Sequence, residues 1–180
     1  MAPPRSVAPP PSLTLRRATP ADVDEILALV HELAEFERAP EAVTATRDDY
    51  LRDGFGEHPL FHVLIVEIEG NIAGFAFYFR KYSTWTGRPT LHLEDILVRA
   101  RYRKAGVATT LMAALAREAL DTGCARFDWH VLDWNVGAIE FYERRGAVVQ
   151  REWLPVRLEG AALKALAALA LSGDAAVTRR

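Results

Sequence analysis

Arg103-Lys104-Ala105-Gly106-Val107-Ala108-Thr109 joins an apolar, strand-like run to an Ala/Leu-rich helical run, and its reading decides the fold. The first turn of a helix leaves backbone N–H groups without partners inside the helix, and the macrodipole adds partial positive charge there. Gly106 and Ala108 carry little side chain, so a phosphate can approach those amides closely. Arg99, Arg101, Arg103 and Lys104 crowd the same turn and favour an anion. The stretch reads as a pyrophosphate cradle. It is not a P-loop, because no Gly-Lys-Ser/Thr follows the glycine, and the G-x-G-x-x-G dinucleotide fingerprint is absent. A capped structural helix is the competing reading, and the flanking elements decide between them.

Upstream, residues 91–98 form a strand that runs directly into the turn. Downstream, Val107, Leu111, Leu115 and Ala119 make a helical inward stripe, with Gly123 as its C-terminal stop. Residues 125–132 alternate, with Phe127, Trp129 and Val131 on one face and Asp128 and His130 on the other. Asn135 caps a helix that runs to Arg145 and stops at Gly146. Further out, residues 12–17 predict a first strand, and Thr19-Pro20-Ala21-Asp22 a helix start. Val23, Ile26, Leu27, Val30 and Leu33 then keep helical spacing. Thr46-Arg47-Asp48-Asp49 opens a shorter helix that Gly54 ends. Residues 61–68 and 72–79 form a hairpin about Glu69-Gly70-Asn71. Residues 153–158 predict a last strand, in which Pro155 demands an edge or a bulge, and Gly160 opens a helical run. The order β-α-α-β-β-β-α-β-α-β implies an α/β (α+β) domain, a mixed central sheet with helices on both faces.

A chain of 180 residues with 50% hydrophobic and 26% charged residues is expected to form one soluble domain. We expect residues 13–172 to form it, after a disordered Pro-rich segment at 1–12 and before a flexible tail at 173–180. The net charge of −2 argues against nucleic-acid binding. No apolar run reaches the length of a membrane span, and the single cysteine fits a reducing compartment, so a cytoplasmic location is expected.

Four further segments fall in a telling order: Asp53-Gly54-Phe55-Gly56-Glu57-His58-Pro59, Leu93-Glu94-Asp95, Trp134-Asn135, and Phe141-Tyr142-Glu143-Arg144-Arg145-Gly146-Ala147. With the Arg-x-x-Gly-x-Ala turn, they resemble the GNAT superfamily of N-acetyltransferases, and within it the diamine (spermidine/spermine) type. The likeness runs from about residue 13 to 158. It implies the GNAT fold, with strands splayed apart to form an acetyl-CoA cleft. It implies acetyl-CoA as co-substrate, a small amine as acceptor, and a homodimer.

The resemblance also assigns roles. Ile96, Leu97 and Val98 would offer backbone groups to the acetyl and pantetheine portions. Arg103, Lys104, Ala105, Gly106, Val107, Ala108 and Thr109 would take the pyrophosphate, and Asn135, Val136, Gly137 and Ala138 would flank the pantetheine arm, with Tyr142 against the thioester sulfur. Glu94 is the implied proton acceptor, directly or through water, and Tyr142 the acid. Asp95 sits on the opposite face of a regular strand, and a bulge would let both carboxylates contribute. Phe36, Glu37, Glu94, Asp95, Asp128, Trp129, His130 and Glu152 are the expected substrate-binding residues, since a polycationic amine calls for carboxylates. Trp85 either walls the pocket or covers the core.

His92-Leu93-Glu94 has the His-x-Glu form of zinc deaminases, but Cys124 is alone and that site needs more cysteine ligands, so no metal is expected. Cys124 reads as a small buried thiol. Two readings of different class remain at this level: an N-acetyltransferase acting on a diamine, polyamine, lysine-like or protein amine, and a coenzyme A-binding module without catalysis.

Overall fold

The computed structural model describes residues 12–170, so the expectations for the N-terminal segment up to residue 11 and for the tail beyond 170 lie outside the described residues. Its elements are β1 (Leu13–Arg17), α1 (Val23–Phe36), α2 (Arg47–Phe55), β2 (His62–Ile68), β3 (Asn71–Ser83), β4 (Arg88–Val98), α3 (Val107–Asp121), β5 (Arg126–Trp129), α4 (Val136–Glu143) and α5 (Gly160–Ala167). Strands β1 to β5 lie side by side in chain order, antiparallel as far as β4, with β5 parallel to β4. This is the mixed sheet expected. The described chain falls into two compact units, one ending at His130 and one beginning at Val131.

In the first unit, β2 buries four successive residues, Val63, Leu64, Ile65 and Val66, which requires cover on both faces. One face packs with α1 and α2: Val23, Ile26, Leu29, Leu33 and Tyr50 enclose Val63, Ile65, Phe75 and Leu97. Each such fully buried side chain contributes on the order of 1.5–3 kcal/mol. Helix α3 buries Val107, Leu111, Met112, Leu115 and Ala119, the stripe read from its spacing plus Met112. Gly74 on β3 makes the close approach possible, since a Cβ there would lie 2.5 Å from the Leu97 carbonyl oxygen and 3.1 Å from Val107 Cγ1.

The start of α1 is held by chemistry visible in the sequence. Thr19 and Asp22 form a capping box around Pro20. Arg16 then bridges Asp22 and Glu67, at 2.8 and 2.7 Å, and ties β1 to both helix start and β2. The Arg16 hydrogen bonds hold the Asp22 carboxyl down at about 2 despite partial burial.

In the first unit three expectations change. Gly54 does not end α2, which continues to Phe55 with Gly56 as its cap. The Phe61 ring occupies the place of a Gly54 Cβ, 2.5 Å away, so this glycine serves close packing and not termination. The β3–β4 hairpin extends beyond the predicted strands to Ser83 and Arg88, because its buried polar residues are satisfied: Arg126 donates to Ser83 Oγ at 3.0 Å and to Thr90 Oγ1 at 3.3 Å. Trp85 stands 87% exposed at the hairpin tip and does not cover the core.

In the second unit, α4 is capped as read, with Asn135 Oδ1 accepting from the Ala138 N–H at 3.3 Å, and Gly146 follows its end at φ +86°. The strand expected at 153–158 is absent among the described residues. Pro155 removes a ladder donor, and Trp153, Leu154 and Val156 are all exposed. The helix expected after it is α5, with Leu163 and Leu166 exposed. None of the described helices is long and apolar enough to cross a membrane.

Candidate active site

The site is organised by β4, whose two edges part company midway. The ladder to β5 runs from Thr90–Arg126 to Leu93–Trp129 and stops. Strand β4 continues through Val98, still paired to β3 through Ile96–Ala76, Leu97–Phe75 and Val98–Gly74. Among the described residues no strand covers the other edge of 94–98, so main-chain groups there are open to a ligand. Leu97 is buried in the core, and Ile96 and Val98 are half-buried.

Where the ladder to β5 stops, the register with β3 also shifts: Phe77 faces Asp95, Tyr78 faces Leu93, and Glu94 is the extra residue of a bulge. The two neighbouring carboxylates then meet different environments. The Glu94 side chain is 54% exposed. Asp95 is mostly buried, and its carboxyl is pushed up to about 6, chiefly by burial and then by Glu94 and Glu37. Burial, with the nearby Asp95, pushes Tyr50 up to about 12. Glu37 caps the end of α1, and burial raises its carboxyl as well. Among the described residues neither Asp95 nor Glu37 is ion-paired with a base, so this is an acidic group without a cation of its own.

The cradle lies at the start of α3. Gly106 caps the helix in the left-handed region at φ +86°, with nothing within 4 Å of a Cβ position. The helical ladder begins with Thr110 N–H donating to the Gly106 carbonyl at 2.9 Å, so the Val107 and Ala108 amides precede it. Lys104 also holds a left-handed φ of 67°, a strained choice for a side-chain-bearing residue. Arg101, Arg103, Lys104 and Ala105 are exposed around this mouth. An anionic diphosphate fits the charge, the amides and the space.

Arg99, expected beside the cradle, is committed elsewhere: it pairs with Glu25 at 2.6 Å and Glu32 at 2.7 Å and donates to the Ile72 carbonyl. It fastens α1 to the sheet and offers nothing to a phosphate. Arg103 instead lies 5.8 Å from the centre of the Phe36 ring, which links the cradle mouth to a residue expected to touch substrate.

Asp128 faces His92 across the β4–β5 ladder, His130 follows just beyond the end of β5, and Trp129 packs against Phe127, ring centres 4.8 Å apart. Asp128 has partners of its own: Lys81 Nζ at 2.9 Å and His92 Nδ1 at 2.6 Å. His92 is 5% exposed, and its Nε2 lies 3.6 Å from Glu94 Oε2. The His130 ring packs edge-on against His92, centres 5.3 Å apart. Sequence reading missed His92, Lys81 and Tyr50 as parts of this site. The only available signal was the shared alternation of 90–93 and 126–129, which says nothing of which residue faces which.

In the second unit, Val136 and Gly137 are exposed at the start of α4, and Asn135 and Ala138 are half-buried. Tyr142 is 8% exposed, and burial raises its phenol, so the hydroxyl keeps its proton at neutral pH. Glu152 is exposed in a turn of the segment that forms no strand. Cys124 is buried, as expected of a packing thiol.

Residues 25–147 match the model of the Acetyltransferase (GNAT) family. The chain is 40% identical over 167 residues to the thialysine N-epsilon-acetyltransferase of Mus musculus, covering 87% of this chain and 98% of that protein. It is 38% identical over 141 residues to the spermidine/spermine N(1)-acetyltransferase-like protein 1 of Homo sapiens, covering 74% of this chain but 20% of that longer protein. Its fold is similar to that of an aminoglycoside N-acetyltransferase solved in complex with CoA, with a TM-score of 0.68 at 20% identity, covering 86% of this chain and 100% of that one.

Proposed function

Because the chain belongs to the acetyltransferase (GNAT) family, we propose that it transfers an acetyl group from acetyl-CoA to a primary amine of a small diamine or lysine-like substrate. Acetyl-CoA supplies the activated acetyl thioester. The open edge at Ile96 to Val98 and the amides of the Gly106 turn are the groups to hold it.

An alkyl ammonium has a pKa of roughly 10.4, so the free amine needed for attack costs about 4–5 kcal/mol at neutral pH. Glu94, exposed on its bulge, takes that proton directly or through a water. Tyr142, protonated because it is buried, donates to the departing thiolate. The observation that carries the choice of substrate is the cation-free group of Asp95 and Glu37 beside Glu94. The partly buried Asp95 carboxyl and the more exposed Glu37 carboxyl, both with raised proton affinity, favour a second ammonium on the acceptor, which a diamine, polyamine or lysine-like amine has and a monoamine lacks.

Thiol release from acetyl-CoA is to be followed with thialysine, lysine, ornithine, putrescine, spermidine and a simple monoamine. Release with the dicationic acceptors and little with the monoamine is expected, and Tyr142→Phe is expected to keep its fold and lose most turnover. Binding of acetyl-CoA without release for any amine would turn the protein into a coenzyme A-binding module.

A further inference from the structure

His92 is the most buried ionisable side chain beside Glu94, and its surroundings are built for a proton. A carboxylate can only accept, so at 2.6 Å from Asp128 Oδ1 the His92 Nδ1 must carry the hydrogen. Lys81 Nζ, 3.2 Å from the same nitrogen, can then donate only to Asp128. That leaves the lone pair on Nε2, and Nε2 faces Glu94 Oε2 at 3.6 Å, an ion-pair distance that an exposed carboxylate closes by a small rotation. Catalytic hydrogen bonds are commonly long before the substrate complex forms. The ring is held between Phe79 and His130, so its direction is set.

We propose that His92, oriented by Asp128, is a positioning residue for Glu94, receiving on Nε2 the proton that Glu94 takes from the acceptor ammonium. This rests on the acetyl-transfer reading above. One N–H bond of the ammonium breaks as a Glu94 O–H bond forms; that O–H then breaks as the His92 Nε2–H bond forms, and the carboxylate is restored. Acetylation of an ammonium releases one proton overall, and it leaves to solvent by the reverse passage through exposed Glu94. Around the resulting imidazolium, the Asp128 and Glu94 carboxylates attract it, Lys81 opposes it, and Arg126 stands 4.0 Å from the far oxygen of Asp128. Lys81 occupies the place of a cation beside Asp128, so the group is arranged for a proton and not for a metal ion.

The test uses the full chain. His92→Gln keeps a donor toward Asp128 but carries no proton. We expect its melting temperature and its acetyl-CoA KM to match wild type, while kcat at pH 7 falls about tenfold or more and the deficit fades toward the amine pKa. Glu94→Gln combined with His92→Gln is expected to be no slower than Glu94→Gln alone, because the second residue acts only through the first. A deficit equal at every pH, additive losses in the double variant, or a wild-type profile would each overturn the proposal. Ring-nitrogen NMR reads the same coupling without turnover. A protonated Nδ1 with an Nε2 shift that moves in Glu94→Gln supports it; the opposite tautomer, or no movement, overturns it. Failure of the wild type to acetylate any amine would fall on the acetyl-transfer reading instead, and the tautomer would still decide the His92–Glu94 coupling.

Discussion

Asp95 on β4 and Asp128 on the adjoining strand β5 are driven in opposite directions. Burial, with Glu94 and Glu37 nearby, pushes Asp95 up to about 6. Burial works on Asp128 in the same sense, but hydrogen bonds from His92 and Lys81 outweigh it and hold its carboxyl below the usual range. Among the described residues the first group lacks a cation. The second has already been neutralised by the protein, and so is free to orient a histidine. An acidic residue near a cationic substrate is thus not automatically a substrate ligand; its existing partners decide.

The sharpest break of this comparison is at the residue between the two groups. Glu94→Gln is expected to lower kcat/KM at pH 7 by about 100-fold, within the usual range for loss of a general base. The loss should shrink as pH rises and the free amine supplies itself, and an unchanged pH–rate profile would remove Glu94 from the chemistry.

Asp95→Asn separates binding from stability. We expect the KM for a diamine to rise about tenfold, on the scale of a lost charged hydrogen bond, with the acetyl-CoA KM unchanged. Stability should move the other way. The folded carboxyl binds its proton more tightly than the unfolded one, so ionisation costs stability as pH rises from about 4 toward about 6, and the cost is complete above that. The variant should therefore gain on the order of 2–3 kcal/mol at pH 7.5 and nothing near pH 3, read by denaturant titration at both.

Asp128→Asn should show the opposite sign. Its folded carboxyl is depressed, so its contribution is present above the unfolded value of about 3.9 and disappears as pH falls below that. A loss of about 1 kcal/mol at neutral pH, absent in strong acid, is expected for this partly exposed pair. A stabilised Asp128→Asn would erase the contrast with Asp95.

The smallest effect is expected at Lys104→Gly. Relief of the left-handed φ should stabilise the fold by about 1 kcal/mol, while the lost cation weakens acetyl-CoA binding a few-fold in calorimetry. Unchanged binding would show that the cradle relies on its amides alone.

Much of the fold was legible because its signals are short-range. Thr19 and Asp22 close a cap within four residues, Leu111 and Leu115 recur at the helical period, and the Gly106 turn needs only its own residues to bend. The bulge at Glu94 was foreseen as a condition and not as a fact, because nothing local distinguishes a bulged Leu-Glu-Asp from a straight one. Arg99 was misread for the same reason: Glu25 and Glu32 are far off in the chain and near only after α1 packs. Residues 153–158 have the pattern of a strand, but a pattern without a partner and with Pro155 in it does not form a ladder.

By itself the sequence determined the order of elements as far as the helix capped by Asn135, and the glycine turn that opens α3 at Gly106, because caps, periods and charges are properties of neighbouring residues. Tertiary structure decided the state of the carboxylates: the His92–Asp128 pairing comes from the parallel register of β4 and β5, and the raised Asp95 from burial with Glu94 and Glu37 nearby. Proton affinity depends on what surrounds a group in space, and only the folded chain brings those surroundings together.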